Sequence, residues 1–320
     1  MKVYKDTIMH DFTQTNLLKI IETLQEELKT TPSHMTVKFR VLNPDLCLSH
    51  YNGTEITIEN EKYIHRSYKT WVDLAQQLNC EMLTPTVESS NTICIHYRKL
   101  NSDESFHKQL VEKEEKYGEK SIFSQIHKNE EASFIYYYRQ ALKNVNVEKR
   151  FRILNLGVNS GDEFEVIEKV SKNFQELDLL GIDYCSSAIN IANEKFKNYS
   201  NVKFMQHDIN QLNELNLEKF DLIISIGTLQ SSNLEFNRLL MSIVQNQLKR
   251  SGAIILGFPN CRWIDGEMIY GARVKNYNFS EMGLLYKDAI FAKKYLQQKK
   301  FRVTLTGKDY LFLTGTAISY

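Results

Sequence analysis

From Arg152 onward the chain alternates short apolar runs with helical stretches, and this rhythm restricts its architecture more than any other feature. The runs are Arg152 to Leu156, Leu177 to Ile182, Val202 to Gln206, Phe220 to Ile226 (FDLIISI) and Ala253 to Phe258 (AIILGF). Helical patterns fill the gaps: Asp162 to Asn173, a second ending at Phe196, and Asn233 to Leu248. Unbroken apolar strands joined by helices predict a parallel sheet covered on both faces. The last fifth departs from the rhythm. Tyr286 to Gln298 reads as a helix, and Phe301 to Thr306 and Tyr310 to Ile318 as two strands separated by Gly307-Lys308-Asp309. A connection that short joins only antiparallel neighbours.

Ahead of this core the pattern is different. Leu17, Leu18, Ile21, Leu24 and Leu28 recur at helical spacing, and Pro32 closes that helix. Met35 to Leu42 alternates as a strand, and Asn52-Gly53 is a turn signal that fits a hairpin with the runs on either side. A helix over Ser67 to Leu78 and strands over Cys80 to Thr84 and Thr92 to Arg98 complete a small α+β unit. The stretch from Ser102 to Val145 is helical and charged, broken by Gly118; KQLVEKEEKYGEK reads as a solvated face and FIYYYRQAL as a packing helix. The expected organisation is an N-terminal α+β domain over 1–101 and a second domain over 102–320. The latter has a helical lead-in over 102–150 and its core over 151–320.

Composition narrows the function classes. Forty Lys plus Arg stand against 39 Asp plus Glu, which argues against a broad electrostatic footprint for duplex nucleic acid or anionic membrane. No apolar run reaches the roughly 20 residues of a membrane span. The opening MKVYKDTIMHDFTQTN lacks the apolar stretch of a signal peptide, which predicts a cytoplasmic protein. Five scattered cysteines without a CxxC pair predict reduced thiols and no metal site.

Three features follow the first three apolar runs. Asn155 to Gly161 (NLGVNSG) puts Gly157 and Gly161 where a strand turns tightly into a helix whose first N–H groups face an anion. Packing alone also requires such turns. Asp183 closes the second run, 22 residues after Gly161, at a spacing suited to accepting both hydroxyls of a ribose. An acid there equally caps a helix, but Ser186 and Ser187 can take that role. Asp208 closes the third run, where a side-chain acceptor meets an adenine amino group with Ile209 against the ring; a plain loop acid is the alternative.

Taken in order, the motifs ILNLGVNSG, LLGIDYCSSAINIA, VKFMQHDI, FDLIISIGTL and LKRSGAIILGF, followed by the terminal hairpin FRVTLTGKDYLFLTGTAI, resemble the class I S-adenosylmethionine-dependent methyltransferases. The resemblance covers roughly 121–320. It implies a Rossmann-like, doubly wound, mixed seven-stranded sheet with an antiparallel last strand, preceded by the small α+β domain. It also implies S-adenosyl-L-methionine as cofactor and S-adenosyl-L-homocysteine as product. Carried over by position, Asn155, Gly157, Asn159 and Gly161 line the methionine part, Asp183 and Tyr184 the ribose side, and Asp208 and Ile209 the adenine. Ser225 and Gly227 lie under the sulfonium. Two positions depart from the family: its first motif usually opens with an acid, here Asn155, and its middle glycine is here Asn159. On this reading Asn155→Asp binds the cofactor equally or more tightly, and Asp162 or Glu163 stands in for the missing acid.

The fourth motif lacks the Pro-Pro-Tyr run of amino-methyltransferases acting on bases. Cys261 after the fifth strand reads as structural. Pro259 to Tyr277 gathers Arg262, Trp263, Glu267, Tyr270 and Arg273 at the edge where open α/β sheets carry their sites, which points to an acceptor bearing a carboxylate, phosphate or flat ring. Packing of this loop onto the N-terminal unit is the alternative. A catalytic base, if one is used, comes from His207 or Glu267. The expected function is methyl transfer to a small-molecule acceptor, without membrane attachment and with a dimer left open. Two rival readings stand beside it. One is a tRNA or rRNA methyltransferase whose Arg262, Arg273, Lys275 and the pairs Lys293-Lys294 and Lys299-Lys300 meet phosphates. The other is a non-catalytic binding protein of the same fold.

Overall fold

A computed structural model describes residues 9–105, 117–231, 233–272 and 280–318. The chain divides into two units, Met1–Ser105 with Trp263–Ile269, and Phe106–Arg262 with Tyr270–Tyr320.

In the first unit, β1 (His10–Asp11), β2 (Thr36–Leu42), β5 (Cys80–Val87) and β6 (Thr92–Lys99) form a sheet in the order β1-β2-β6-β5. Helix α1 (Leu17–Thr30) starts where Asn16 accepts from the Lys19 N–H, and it buries Ile20, Leu24 and Leu28. Helix α2 (Tyr68–Gln77) buries Trp71, Leu74 and Ala75. Their stripes meet Val37, Phe39, Ile95 and Tyr97 in one core. The hairpin here is β3 (Glu55–Ile58) with β4 (Glu61–Ile64), so its turn is Glu59-Asn60 and not Asn52-Gly53. Glu59 and Asn60 both adopt positive φ, 50° and 68°, as a two-residue turn matching the strand twist requires. Asn52 and Gly53 instead hold the far end of β4: the Ser67 N–H donates to Asn52 Oδ1, and the Gly53 N–H to the His65 carbonyl.

The hairpin β12 (Cys261–Ile264) and β13 (Glu267–Tyr270) turns through Asp265 and Gly266, at φ 50° and 85°. Its segment Trp263–Ile269 belongs to the first unit, where Ile264 and Ile269 cluster with Leu100. Asp265 Oδ2 accepts from Arg98 Nη1 and from the Asn101 N–H, both at 3.0 Å. His34 Nδ1 lies 3.3 Å from the same oxygen and its Nε2 3.3 Å from Glu104. With Arg98 already on Asp265, this cluster is an ion-pair network rather than a cation cage.

In the second unit, β7 (Arg152–Leu156), β8 (Asp178–Asp183), β9 (Val202–Gln206), β10 (Phe220–Ile226), β11 (Leu248–Pro259), β14 (Phe301–Gly307) and β15 (Tyr310–Ala317) form one sheet, ordered β14-β15-β11-β10-β7-β8-β9. Pairings among β7 to β11 are parallel, and β15 runs antiparallel to both β11 and β14. This is the expected mixed seven-stranded, doubly wound arrangement with an antiparallel last strand. Helices cover both faces, as β15 shows. Phe312 meets Phe134 and Tyr138 of α3 (Ala132–Asn144). Its neighbour Leu313 joins the opposite cluster with Leu240 of α6 (Phe236–Ser242) and Leu296 of α7 (Gly283–Gln298). Helices α4 (Asp162–Val170) and α5 (Ser186–Lys195) complete the first two crossovers.

One boundary differs from expectation. α6 gives way to a π turn over Ile243–Gln247 and β11 starts at Leu248, five residues early. The polar Lys249 to Gly252 bulge out of register while Lys249 Nζ bonds Asp221, which hides the strand's start from a hydrophobicity reading.

Candidate active site

The candidate cofactor residues follow the carboxyl ends of β7, β8, β9 and β10. After β7 the backbone turns through three left-handed residues: Gly157 at φ 75°, Asn159 at 45° and Gly161 at 87°. At Gly157 a Cβ would lie 1.9 Å from Thr228 Oγ1, so only glycine lets the tips of β7 and β10 come this close. Asn159 tolerates its conformation because a short amide can bond locally, and its Nδ2 donates to the Tyr117 carbonyl at 2.8 Å.

Asp183 is the hub. Its Oδ2 accepts from the Asn159 N–H and its Oδ1 from the Cys185 N–H, both at 2.9 Å, so one carboxylate ties the first turn to the second. Burial pushes its pKa up, and these backbone N–H groups pull it part of the way back. The Tyr184 N–H also donates to Asp183, and a carboxylate has about four acceptor sites, so three N–H donors leave it some capacity for a hydroxyl. Tyr184 beside it is 46 % exposed. Half-buried Tyr117 has its phenol pKa raised, first by desolvation and then by the Asp183 charge.

Beneath the first turn lies a group that sequence reasoning missed in part. Asn155 and Glu163 are both fully buried, and Asn155 Nδ2 donates to Glu163 Oε2 at 3.2 Å. Glu163 Oε1 receives Lys128 Nζ at 2.7 Å. Burial works to lower the Lys128 pKa, but Glu163, Asp162 and Asp183 together hold the ammonium above its ordinary value. Asn155 Oδ1 is buried and accepts no hydrogen bond. Eight residues after Asn155 the chain thus places a buried acid, Glu163, against it, paired with a lysine from the lead-in.

This geometry adds a stability cost to Asn155→Asp. A second carboxylate would face Glu163 across a buried gap with Lys128 as the one cation for both. We expect a loss of stability on the order of 3 kcal/mol at neutral pH. The new carboxyl has a folded pKa above its unfolded one, so the penalty is full at high pH and shrinks as pH falls through the folded value. Thermal melts at pH 7.5 and 5.5 check this; a variant as stable as wild type at both would contradict it.

Other expected residues scatter. Asp208 Oδ1 accepts from the Asn210 N–H at 2.9 Å as a helix cap, and Ile209 is buried in the core. Ser225 is buried with its hydroxyl on the Leu156 carbonyl at 3.1 Å, which turns it into the sheet. Gly227 donates to the Gly257 carbonyl at 2.9 Å. His207 Nε2 lies 3.2 Å from the Gln211 carbonyl. Arg262 Nη1 holds the Gly271 carbonyl at 3.2 Å and Ser280 Oγ at 3.3 Å, shaping the chain after β11. Trp263 and Glu267 belong to the first unit and Tyr270 to the second; Arg273 and Lys275 lie outside the described residues.

Residues 148–306 match the family model of a methyltransferase domain. A carboxy-S-adenosyl-L-methionine synthase from Helicobacter pylori (strain HPAG1) is 26 % identical over 157 residues, 48 % of this chain and 63 % of that protein. The match thus spans less than two thirds of that relative. Among solved structures, the N-methyltransferase NodS from Bradyrhizobium japonicum WM9 in complex with S-adenosyl-L-homocysteine is 17 % identical, covering 59 % of this chain and 89 % of that one at a TM-score of 0.42. A precorrin-6y C5,15-methyltransferase from Geobacter metallireducens GS-15 is 10 % identical, covering 57 % and 88 % at 0.40.

Proposed function

We propose, from the membership of residues 148–306 in the methyltransferase-domain family, that this chain binds S-adenosylmethionine and transfers its methyl group to a small-molecule acceptor. The observation that carries the reading is Asp183, held at the carboxyl end of β8 by the backbone N–H groups of Asn159, Tyr184 and Cys185 with some acceptor capacity left. The residues fit the cofactor in two further ways. Exposed Tyr184 offers a flat face, and the orphaned Asn155 Oδ1 is an acceptor of the kind an ammonium group satisfies.

The bound cofactor supplies an electrophilic methyl group on a sulfonium. The chain's own work is to hold and align. Asp183 receives the ribose hydroxyls, Tyr184 lies along the ring system, and the left-handed turn presents backbone to the amino-acid end. Lys128 and Glu163 keep the floor of the turn rigid. Such a displacement needs alignment and desolvation more than proton transfer, so little side-chain chemistry is required.

The segment after β11 governs the acceptor on this reading. Changing Arg262 and Arg273 together to Lys keeps charge but removes the planar guanidinium, of which at Arg262 one nitrogen, Nη1, holds both Gly271 and Ser280. We expect cofactor affinity to stay within about twofold while methyl transfer falls at least tenfold, about 1.4 kcal/mol. Unchanged transfer would return this segment to a packing role. The test of the function itself is incubation of the protein with methyl-labelled cofactor and a cell extract, with and without ribonuclease. Label in the small-molecule fraction that survives ribonuclease is expected; label lost with ribonuclease would favour RNA.

The Helicobacter pylori relative favours a second reading, in which the cofactor is itself carboxylated. Mass spectrometry of the cofactor recovered from the same incubation separates the two. A carboxylated cofactor with no labelled acceptor would replace methyl transfer.

A further inference from the structure

The first unit carries a buried cation that has no counter-ion among the described residues. Arg66, between β4 and α2, is 4 % exposed. Its Nη2 donates to the Thr15 carbonyl at 2.6 Å, and its guanidinium carbon lies 5.6 Å from the centre of the Trp71 ring. Its Nη1 is buried with no acceptor, and no carboxylate among the described residues forms an ion pair with it. Burial lowers the Arg66 pKa, with no acid opposing. Isolated buried charges are costly, and native structures compensate them with an opposite charge. A carbonyl and a ring face compensate only in part.

The neighbours of Arg66 are donors in the same state. Trp71 is 1 % exposed, and its Nε1 is buried without an acceptor. Trp71 sits on the first turn of α2, a ten-residue helix whose N-cap Ser67 makes no side-chain capping bond. The guanidinium thus lies over the ring of a residue whose own N–H has no acceptor, and that residue stands on the first, positive turn of α2.

We propose that Arg66, Trp71 and the first turn of α2 form an anion site that takes the oxoanion group of a small ligand, a phosphate or a carboxylate. A guanidinium nitrogen and an N–H donor suit the separate oxygens of such a group, which a monatomic anion does not offer. The site lies wholly in the first unit and is independent of the methyl-transfer reading.

The chain has two tryptophans, so Trp263→Phe leaves Trp71 as the sole fluorescent reporter. The full-length Trp263→Phe protein would be titrated with inorganic phosphate, with acetate and with chloride at matched ionic strength. A saturable change in Trp71 emission with phosphate or acetate but not chloride is expected, and which of the two acts identifies the group. Adding Arg66→Met should weaken it at least tenfold. Equal responses to all three salts, no saturable response, or an unchanged response in the Arg66→Met protein would overturn the site. Should Arg66→Met not fold, Trp71→Phe keeps the ring and removes the N–H. Phosphate and acetate stabilisation would then be read by thermal melt against the wild-type chain. A several-fold weaker midpoint supports the site and an equal one overturns it.

Discussion

Asp183→Ala is expected to weaken S-adenosylhomocysteine binding by about 30- to 1000-fold, the equivalent of roughly 2–4 kcal/mol for hydrogen bonds to a charged acceptor. The loss has two sources. The ribose hydroxyls lose their acceptor, and the N–H groups of Asn159 and Cys185, which both end on this carboxylate, lose the group that sets the shape of the turn. Asp183→Asn separates them, because an amide oxygen still accepts from one of these donors. It should retain the wild-type melting temperature more nearly than the alanine variant while losing much of the affinity. The raised pKa of Asp183 adds a pH signature. Binding that needs the carboxylate declines as pH falls through the free protein's value, which lies above the ordinary aspartate range, whereas an unperturbed acid would lose its effect only at lower pH. Affinity of Asp183→Ala within about threefold of wild type would remove the ribose assignment.

Lys128→Met should have the largest effect on stability. It strands Glu163, which has no solvent exposure, without its cation, and breaking a buried pair from one side costs about 3–5 kcal/mol. For a chain of this size that is a fall in melting temperature of roughly 10 °C. The double variant Lys128→Met with Glu163→Gln removes both charges and keeps an oxygen for Asn155 Nδ2, so it should recover most of the loss. Calorimetric or dichroism melts of both variants decide the matter. A single variant within about 0.5 kcal/mol of wild type, the range of ordinary surface changes, would show the pair to be solvated.

These two groups differ in how far they could be read beforehand. Asp183 ends an apolar run at the distance from a glycine turn where nucleotide folds place such an acid, so its residue type and spacing already carried the signal. The sheet was legible for the same reason: FDLIISI and AIILGF are buried on both faces and hence unbroken. Lys128 had no such signal. It stands in a charged lead-in where a solvated lysine is the ordinary case, and only the fold brings it to Glu163, 35 residues away. Glu163 itself resembles any acid placed to complement the start of a helix. Trp263 and Glu267 were grouped with Arg262 by proximity in sequence, whereas the chain enters the first unit over Trp263–Ile269 and leaves it again. Local pattern does not encode such an excursion, because what fixes it is Asp265 meeting Arg98, 167 residues apart. The hairpin turn was misplaced because Asn-Gly is the stronger local signal, while Glu59-Asn60 is imposed by the pairing of β3 with β4.

The carboxyl ends of β7 and β8 are expected to hold S-adenosylmethionine. Calorimetric titration of S-adenosylhomocysteine into the wild-type chain at two temperatures tests it most directly, since the product requires no acceptor to bind. One site per chain is expected, with a dissociation constant on the order of 1–100 μM, roughly 5–8 kcal/mol of binding free energy. Folded protein that shows no heat beyond dilution at either temperature, with ligand raised to the millimolar range, would contradict it.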